Sequence, residues 1–268
     1  MHLKRWITGL CALPFLIFLV YKGGLFFTAL VNAAGLVALW EYYRIAVPGK
    51  AKSLSAIILW WGYGICCAII WVAYAAGTDL ILSLVALNLV TIAMISLFQF
   101  KADRSVLDLI IRQIQGIIYI PVMLGFLILI RENQTGAIWI FLLLAIIFAG
   151  DTGAYYVGSY WGRHKLSPAI SPGKTIEGAI GGLAANLAIG AIGKGLFLPG
   201  LPWSLSLLFF LALGIAGQLG DLFESEMKRS SNIKDSGNIL PGHGGVLDRI
   251  DALLFASPVA YVFIRYIF

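Results

Sequence analysis

The chain has 268 residues, is 60% hydrophobic and only 12% charged, and its mean hydropathy is +0.91. Soluble domains carry roughly 25% charged residues, so this composition excludes a soluble globular enzyme and points to a single all-α integral membrane domain spanning 1–268. The net charge of +6 is no argument for nucleic acid, because Lys and Arg in such a chain first report topology and suit an anionic lipid surface.

In chain order, the apolar runs predict about nine transmembrane helices: 6–21, 24–40, 54–76, 80–98, 114–130, 136–157, 177–192, 203–223 and 250–267. The first has a basic start and an apolar core like a signal peptide, but no small-x-small cleavage site follows, so it reads as an uncleaved helix. The 54–76 and 80–98 runs are joined only by Gly77, Thr78 and Asp79, a tight hairpin. Trp6, Trp40, Trp139 and Trp203 stand near helix ends, where interfacial belts are expected. Cys11, Cys66 and Cys67 lie in apolar runs, two of them adjacent, which argues against a disulfide framework or a Cys/His metal site. In the 177–192 run, Gly178, Gly181, Gly182 and Gly190 suit close helix packing. No internal repeat is visible, which argues against an inverted-repeat transporter.

Positive charge orients this layout. With the N-terminus cytoplasmic, that side holds Lys4, Arg5, Arg44, Lys50, Lys52, Lys101, Arg104, Arg112, Arg163, Lys165, Lys174, Lys228, Arg229, Lys234 and Arg249. The other side holds Lys22, Arg131, Lys194 and Arg265, so the bias is fifteen to four and places the C-terminus opposite the cytoplasm. The two longest polar loops, 158–176 and 224–249, then face the cytoplasm, and so does any chemistry on a charged soluble substrate. Residues from about 111 onward carry these loops, and the spans of about 1–110 have no assigned role.

The carboxylates carry the chemistry. An Asp near a helix centre in the bilayer costs about 2.5–3.5 kcal/mol, so Asp151, Asp221, Asp248 and Asp251 at cytoplasmic helix ends are functional candidates. Asp248 and Asp251 are spaced i, i+3 and share a helix face; stabilising the helix dipole is the plainer reading of that pair. For Asp151 and Asp221 the plainer reading is pairing with a nearby Lys or Arg. Hard oxygen donors without a Cys or His set point to Mg²⁺ at Asp221, Asp248 and Asp251, and leave a second, monovalent cation open.

The run Ser171-Pro172-Gly173-Lys174-Thr175 ends in Gly-Lys-Thr, but a P-loop needs Gly where Pro168 stands and a strand before it, and no strand is expected. The same residues open the 177–192 helix, where backbone N–H groups attract phosphate; Ser171 or Thr175 as a helix cap, with Glu177 in the first turn, is the compatible alternative. His243 lies among glycines and reads as a ligand-orienting or structural residue, whereas His2 and His164 have no evident partners. Lys228, Arg229, Lys234 and Arg249 are dense enough beside the acidic cluster to contact a polyphosphate.

The run Ser225-x-Met227-Lys228-Arg229, Lys234-Asp235, and Leu240-Pro241-x-His243-Gly244-Gly245-Val246-x-Asp248-Arg249-Ile250-Asp251 resembles the signature of the phosphatidate cytidylyltransferases. The stretch from Gly150 to Gly178 is similar to that family's other cytoplasmic segment. The resemblance implies CMP transfer from CTP to phosphatidic acid, giving CDP-diacylglycerol and pyrophosphate, with a divalent metal and a homodimer in the cytoplasmic membrane. The reading of the residues agrees with it and gives a catalytic set of Asp221, Asp248, Asp251, Lys228, Arg229 and Lys234. Substrate contacts would come from Ser171, Lys174, Thr175, Ser225, His243, Gly244, Gly245 and Arg249.

Two rival functions stay distinct. A CTP-dependent polyprenol or dolichol kinase would release CDP instead of pyrophosphate. A cation transporter using Asp221 and Asp248 would open its polar groups to both faces, whereas here they crowd one side. A lipid-binding scaffold has no use for the charged loop, and the Asp and Gly pattern of CDP-alcohol phosphotransferases is absent from the sequence.

Overall fold

The computed structural model describes residues 13–47, 53–100, 105–237, 239 and 244–268. Among these, eight helical segments are long and apolar enough to cross a membrane, and they coincide with eight of the nine expected spans. The expected span 6–21 is described only from Leu13, as the shorter apolar helix Leu13–Lys22 (α1). The chain is thus an all-α integral membrane protein with one small addition.

The described residues form two compact units, 1–132 with 231–249, and 133–230 with 250–268. The first contains α1, α2 (Gly24–Ala46), α3 (Ser53–Ala75), α4 (Thr78–Gln99), α5 (Val106–Ile117) and α6 (Met123–Arg131). The expected hairpin closes α3 onto α4 at Gly77, whose φ of 78° lies in the left-handed region that glycine occupies without strain. Helices α5 and α6 make one span, joined by a π-helical turn, Ile118–Val122, around Pro121. Proline has no N–H to donate and its ring crowds the preceding turn, so the helix widens there instead of breaking. In this unit the amides of Asn88 and Gln113 exchange two hydrogen bonds, each 3.1 Å, which satisfies both groups away from water.

The second unit contains α7 (Gly136–Trp161), α8 (Ile176–Phe197) and α9 (Trp203–Ser230). Helix α10 (Leu247–Val262) starts in the first unit and runs on into the second. Helices α7 and α8 pack through their glycines: a Cβ on Gly153 would lie 2.7 Å from Ala185 Cβ and 2.9 Å from the Gly181 carbonyl oxygen. Only residues without side-chain bulk allow this approach, which in lipid provides the packing that the hydrophobic effect cannot.

Three sequence expectations need correction here. A short antiparallel hairpin, β1 (Lys165–Ser167) and β2 (Ser171–Thr175), precedes α8 where no strand is expected, and Gly173-Lys174-Thr175 forms the end of its second strand. Helix α9 does not stop near 223 but continues to Ser230, because Glu224 and Lys228 pair at i, i+4. Trp139 is buried, stacked on Phe268 and edge-on to Phe209, and is therefore a packing residue of the second unit. Trp203, by contrast, stays half exposed with the Lys194 ammonium 4.1 Å from its ring centre.

Candidate active site

In the second unit, α7, the hairpin, α8 and α9 surround a cavity of about 480 Å³. Its wall carries Asp151 and Tyr155 of α7, Ser171 and Lys174 of the hairpin, Thr175 at the head of α8, and Gln218 and Asp221 of α9. Glycines 150, 158, 173 and 178 line it too, so backbone is exposed to whatever enters.

Each polar group has a local reason to be where it is. Thr175 is extended and its Oγ1 accepts the Gly178 N–H at 3.1 Å, so of the two capping candidates it is Thr175 that starts α8. The Glu177 carboxylate turns back and accepts the backbone N–H groups of Arg163 and His164, and it pairs with His164 Nδ1, giving His164 the partner that the sequence did not disclose. This clasp fixes the hairpin onto α8. Lys174 then reaches across to Asp221 on α9, Nζ to Oδ2 at 2.6 Å, with both side chains about one-third exposed or less. Gln218, one turn before Asp221, donates from Nε2 to the Ala179 carbonyl at 2.9 Å. Removing the cap should matter to the frame more than to the chemistry: Thr175→Ala is expected to cost about 1 kcal/mol of stability, read from thermal unfolding in detergent, and Thr175→Ser to restore it.

Asp251 stands beside this cavity for a steric reason. A Cβ on Gly220 would lie 2.5 Å from the Asp251 carbonyl oxygen, so α10 rests directly on α9 next to Asp221. Asp251 is buried, its Oδ1 accepts the Ala252 N–H, and the charges acting on it are those of Asp221, Asp151 and Lys228. Lys228 in turn pairs with the fully buried Glu224, and Ser225 beside it is buried. Arg229 donates from Nε to the Ile170 carbonyl at 3.2 Å, which ties the end of α9 to the hairpin turn.

The remaining signature residues fold within the first unit. Asp248 Oδ2 accepts Ser236 N–H, Ser236 Oγ and Gly245 N–H at 2.9–3.0 Å, so this oxygen of the expected metal ligand is committed to shaping the loop. Gly244 has a φ of 83°, a left-handed conformation, beside Asp248. Lys234 and Arg249 are exposed, and His243 lies outside the described residues. The residue that sequence reasoning missed is Glu41, a single acid inside the apolar run LVALWEYYRIA, whose carboxylate meets this same loop. An ionisable residue within a span was itself the available signal.

Magnesium fits the donor chemistry of the second unit. Asp151 and Asp221 offer hard carboxylate oxygens to one cavity, and Asp251 lies in their field. Among the described residues no three His, Cys, Asp or Glu side chains are grouped as a cage. Mg²⁺ takes one or two carboxylates and fills its shell with water and substrate phosphate.

Fold and site together define a membrane-embedded protein with a cavity suited to phosphate chemistry. Residues 3–267 match the model of the Cytidylyltransferase family, and the chain belongs to that family. It is 37% identical over 266 residues to a phosphatidate cytidylyltransferase of Bacillus subtilis (strain 168), covering 96% of each chain. It is also 33% identical to one of Staphylococcus aureus (strain COL) and 34% identical to one of Staphylococcus haemolyticus (strain JCSC1435), in each case covering 95% of this chain and 96% of the relative.

Proposed function

We propose that the chain catalyses cytidylyl transfer from CTP to phosphatidic acid. A phosphate oxygen of the lipid attacks the α-phosphorus of CTP, the bond from that phosphorus to the β-bridging oxygen breaks, and pyrophosphate leaves with the electron pair. The observation that carries this reading is the Lys174–Asp221 pair in a glycine-lined cavity of a chain matched to the cytidylyltransferase family along nearly its whole length.

The protein's work is placement and charge neutralisation. Lys174 exchanges Asp221 for a phosphate of the incoming substrate, and Ser171 offers a hydroxyl on the same strand. Arg229 and Lys228, held on the last turns of α9, neutralise the triphosphate and the leaving pyrophosphate. A phosphate monoester has a second pKa of about 6, so the nucleophile needs no protein base. Asp221 and Asp151, with Asp251 beside them, are the residues that would hold Mg²⁺, whose charge would stabilise the reacting phosphates. The substrate and metal roles of Asp248, Ser225, Lys234, His243, Gly244, Gly245 and Arg249 rest on the signature resemblance.

The cytoplasmic orientation of the cavity rests on the fifteen-to-four charge bias, and a homodimer in the inner membrane is the assembly the resemblance implies. The test is pyrophosphate release by purified protein given CTP, phosphatidic acid and Mg²⁺. One pyrophosphate per CDP-diacylglycerol, abolished by chelation and restored by Mg²⁺, is the expected result. Release of CDP instead would replace the reading with a lipid kinase.

A further inference from the structure

The reaction scheme leaves the buried acid of α2 unused. Glu41 lies in α2 and is fully buried, in a part of the chain to which the sequence assigned no role. Its Oε1 accepts the Val246 N–H at 3.1 Å and its Oε2 accepts the Leu247 N–H at 2.7 Å, with the Ser236 Oγ 3.2 Å from Oε2. Leu247 is the first residue of α10, so Glu41 caps the start of α10 at these two amides from a distant helix. The loop is shaped to receive it. A Cβ on Gly237 would collide with Glu41 Oε1, and one on Gly245 would lie 2.6 Å from both carboxylate oxygens. Ser236 Oγ also meets Asp248 Oδ2 at 2.9 Å, so a single hydroxyl stands between the two carboxylates.

We propose that Glu41 is a positioning residue for the signature loop of the first unit, acting through Ser236 and the start of α10 to fix Asp248 and Arg249. The inference rests on the proposed function above. A buried carboxylate in a span is costly unless its lone pairs are filled, and here two backbone N–H groups fill them, with the Ser236 hydroxyl shared between Glu41 and Asp248; the same groups are the ones that define the turn. The charge is essential to this fit, because an amide in its place would turn an N–H₂ toward backbone N–H donors at Val246 or Leu247. A displacement of about 1 Å in reacting groups can cost about 100-fold in rate, so a loosened turn is felt in kcat.

The experiment compares E41Q and E41D with the parent protein in detergent, reading kcat, the KM values for CTP and phosphatidic acid, thermal unfolding, and amide exchange of the 231–249 segment. The expected result for E41Q is faster exchange confined to that segment, an unfolding temperature close to the parent's, a kcat lower by about 100-fold, and KM values within about threefold. E41D, which keeps the charge but is shorter, should recover part of kcat. Activity lost only in proportion to unfolded protein, or E41Q indistinguishable from the parent, would overturn the proposal. If E41Q does not fold, S236A carries the same test, since it removes the hydroxyl between Glu41 and Asp248 and leaves the carboxylate in place. If the parent protein itself transfers no cytidylyl group, the functional reading fails, and the amide-exchange comparison still decides whether Glu41 holds the turn.

Discussion

Asp221→Asn is expected to lower turnover by about 1,000-fold while the protein remains folded, a loss of the size seen when one preorganised electrostatic group is removed. The change keeps volume and removes only charge. Its partner Lys174 and Asp221 itself are both partly exposed, and ion pairs of that kind contribute at most about 1 kcal/mol to stability, so unfolding should hardly shift. The chemistry is affected much more. Asp221 lines the cavity together with Asp151, and it is the one that faces Lys174; both act electrostatically on Asp251. Losing its charge frees Lys174 from its resting partner and leaves only a neutral carboxamide oxygen where an anionic donor stood, so phosphate affinity should fall less than kcat. Steady-state kinetics in detergent, with Mg²⁺ titrated, checks this. Turnover within a few-fold of the parent would remove Asp221 from the site.

Gly153→Val is expected to prevent assembly of the second unit. A first carbon atom at this position already meets Ala185 Cβ at 2.7 Å and the Gly181 carbonyl oxygen at 2.9 Å, and the second contact is backbone that cannot rotate away. Overpacking typically costs about 1–3 kcal/mol, and two more methyl groups on a β-branched side chain push this contact to the upper end or beyond. Because α7 and α8 both line the cavity, separation of the two helices should take activity with it. The measurement is the yield of monodisperse protein and its unfolding temperature. A variant as stable as the parent would show that the α7–α8 contact is looser than its glycines indicate.

These two variants probe features that were unequally legible. The spans could be read because each is a long apolar run, and such runs in lipid have almost no alternative to a helix. Gly181 and Gly182 could be read as packing residues for the same reason. The hairpin could not, since strands of three and five residues carry too few positions for alternation to register. The extension of α9 was hidden because SEMKRS looks like a polar loop, and only the Glu224–Lys228 pairing identifies it as helix. Trp139 resembled a belt residue by position along its helix, but burial depends on Phe209 and Phe268, both far away in sequence.

The site divides in the same way. Ser171, Lys174, Thr175 and Asp221 were named from residue type and place, and they line one cavity. That Lys174 pairs with Asp221, 47 residues away, is a tertiary fact without a local pattern. Glu41 was legible in principle, as a lone acid in an apolar run, but its partners Ser236, Val246 and Leu247 are about 200 residues further along the chain.

The most direct measurement is a pair of parallel reactions with phosphatidic acid and Mg²⁺, one using CTP labelled at the α-phosphate and one using CTP labelled at the γ-phosphate. Cytidylyl transfer predicts α-label in the lipid phase and γ-label in aqueous pyrophosphate. Label appearing in lipid from the γ-position, with α-label left in water as CDP, would contradict the account.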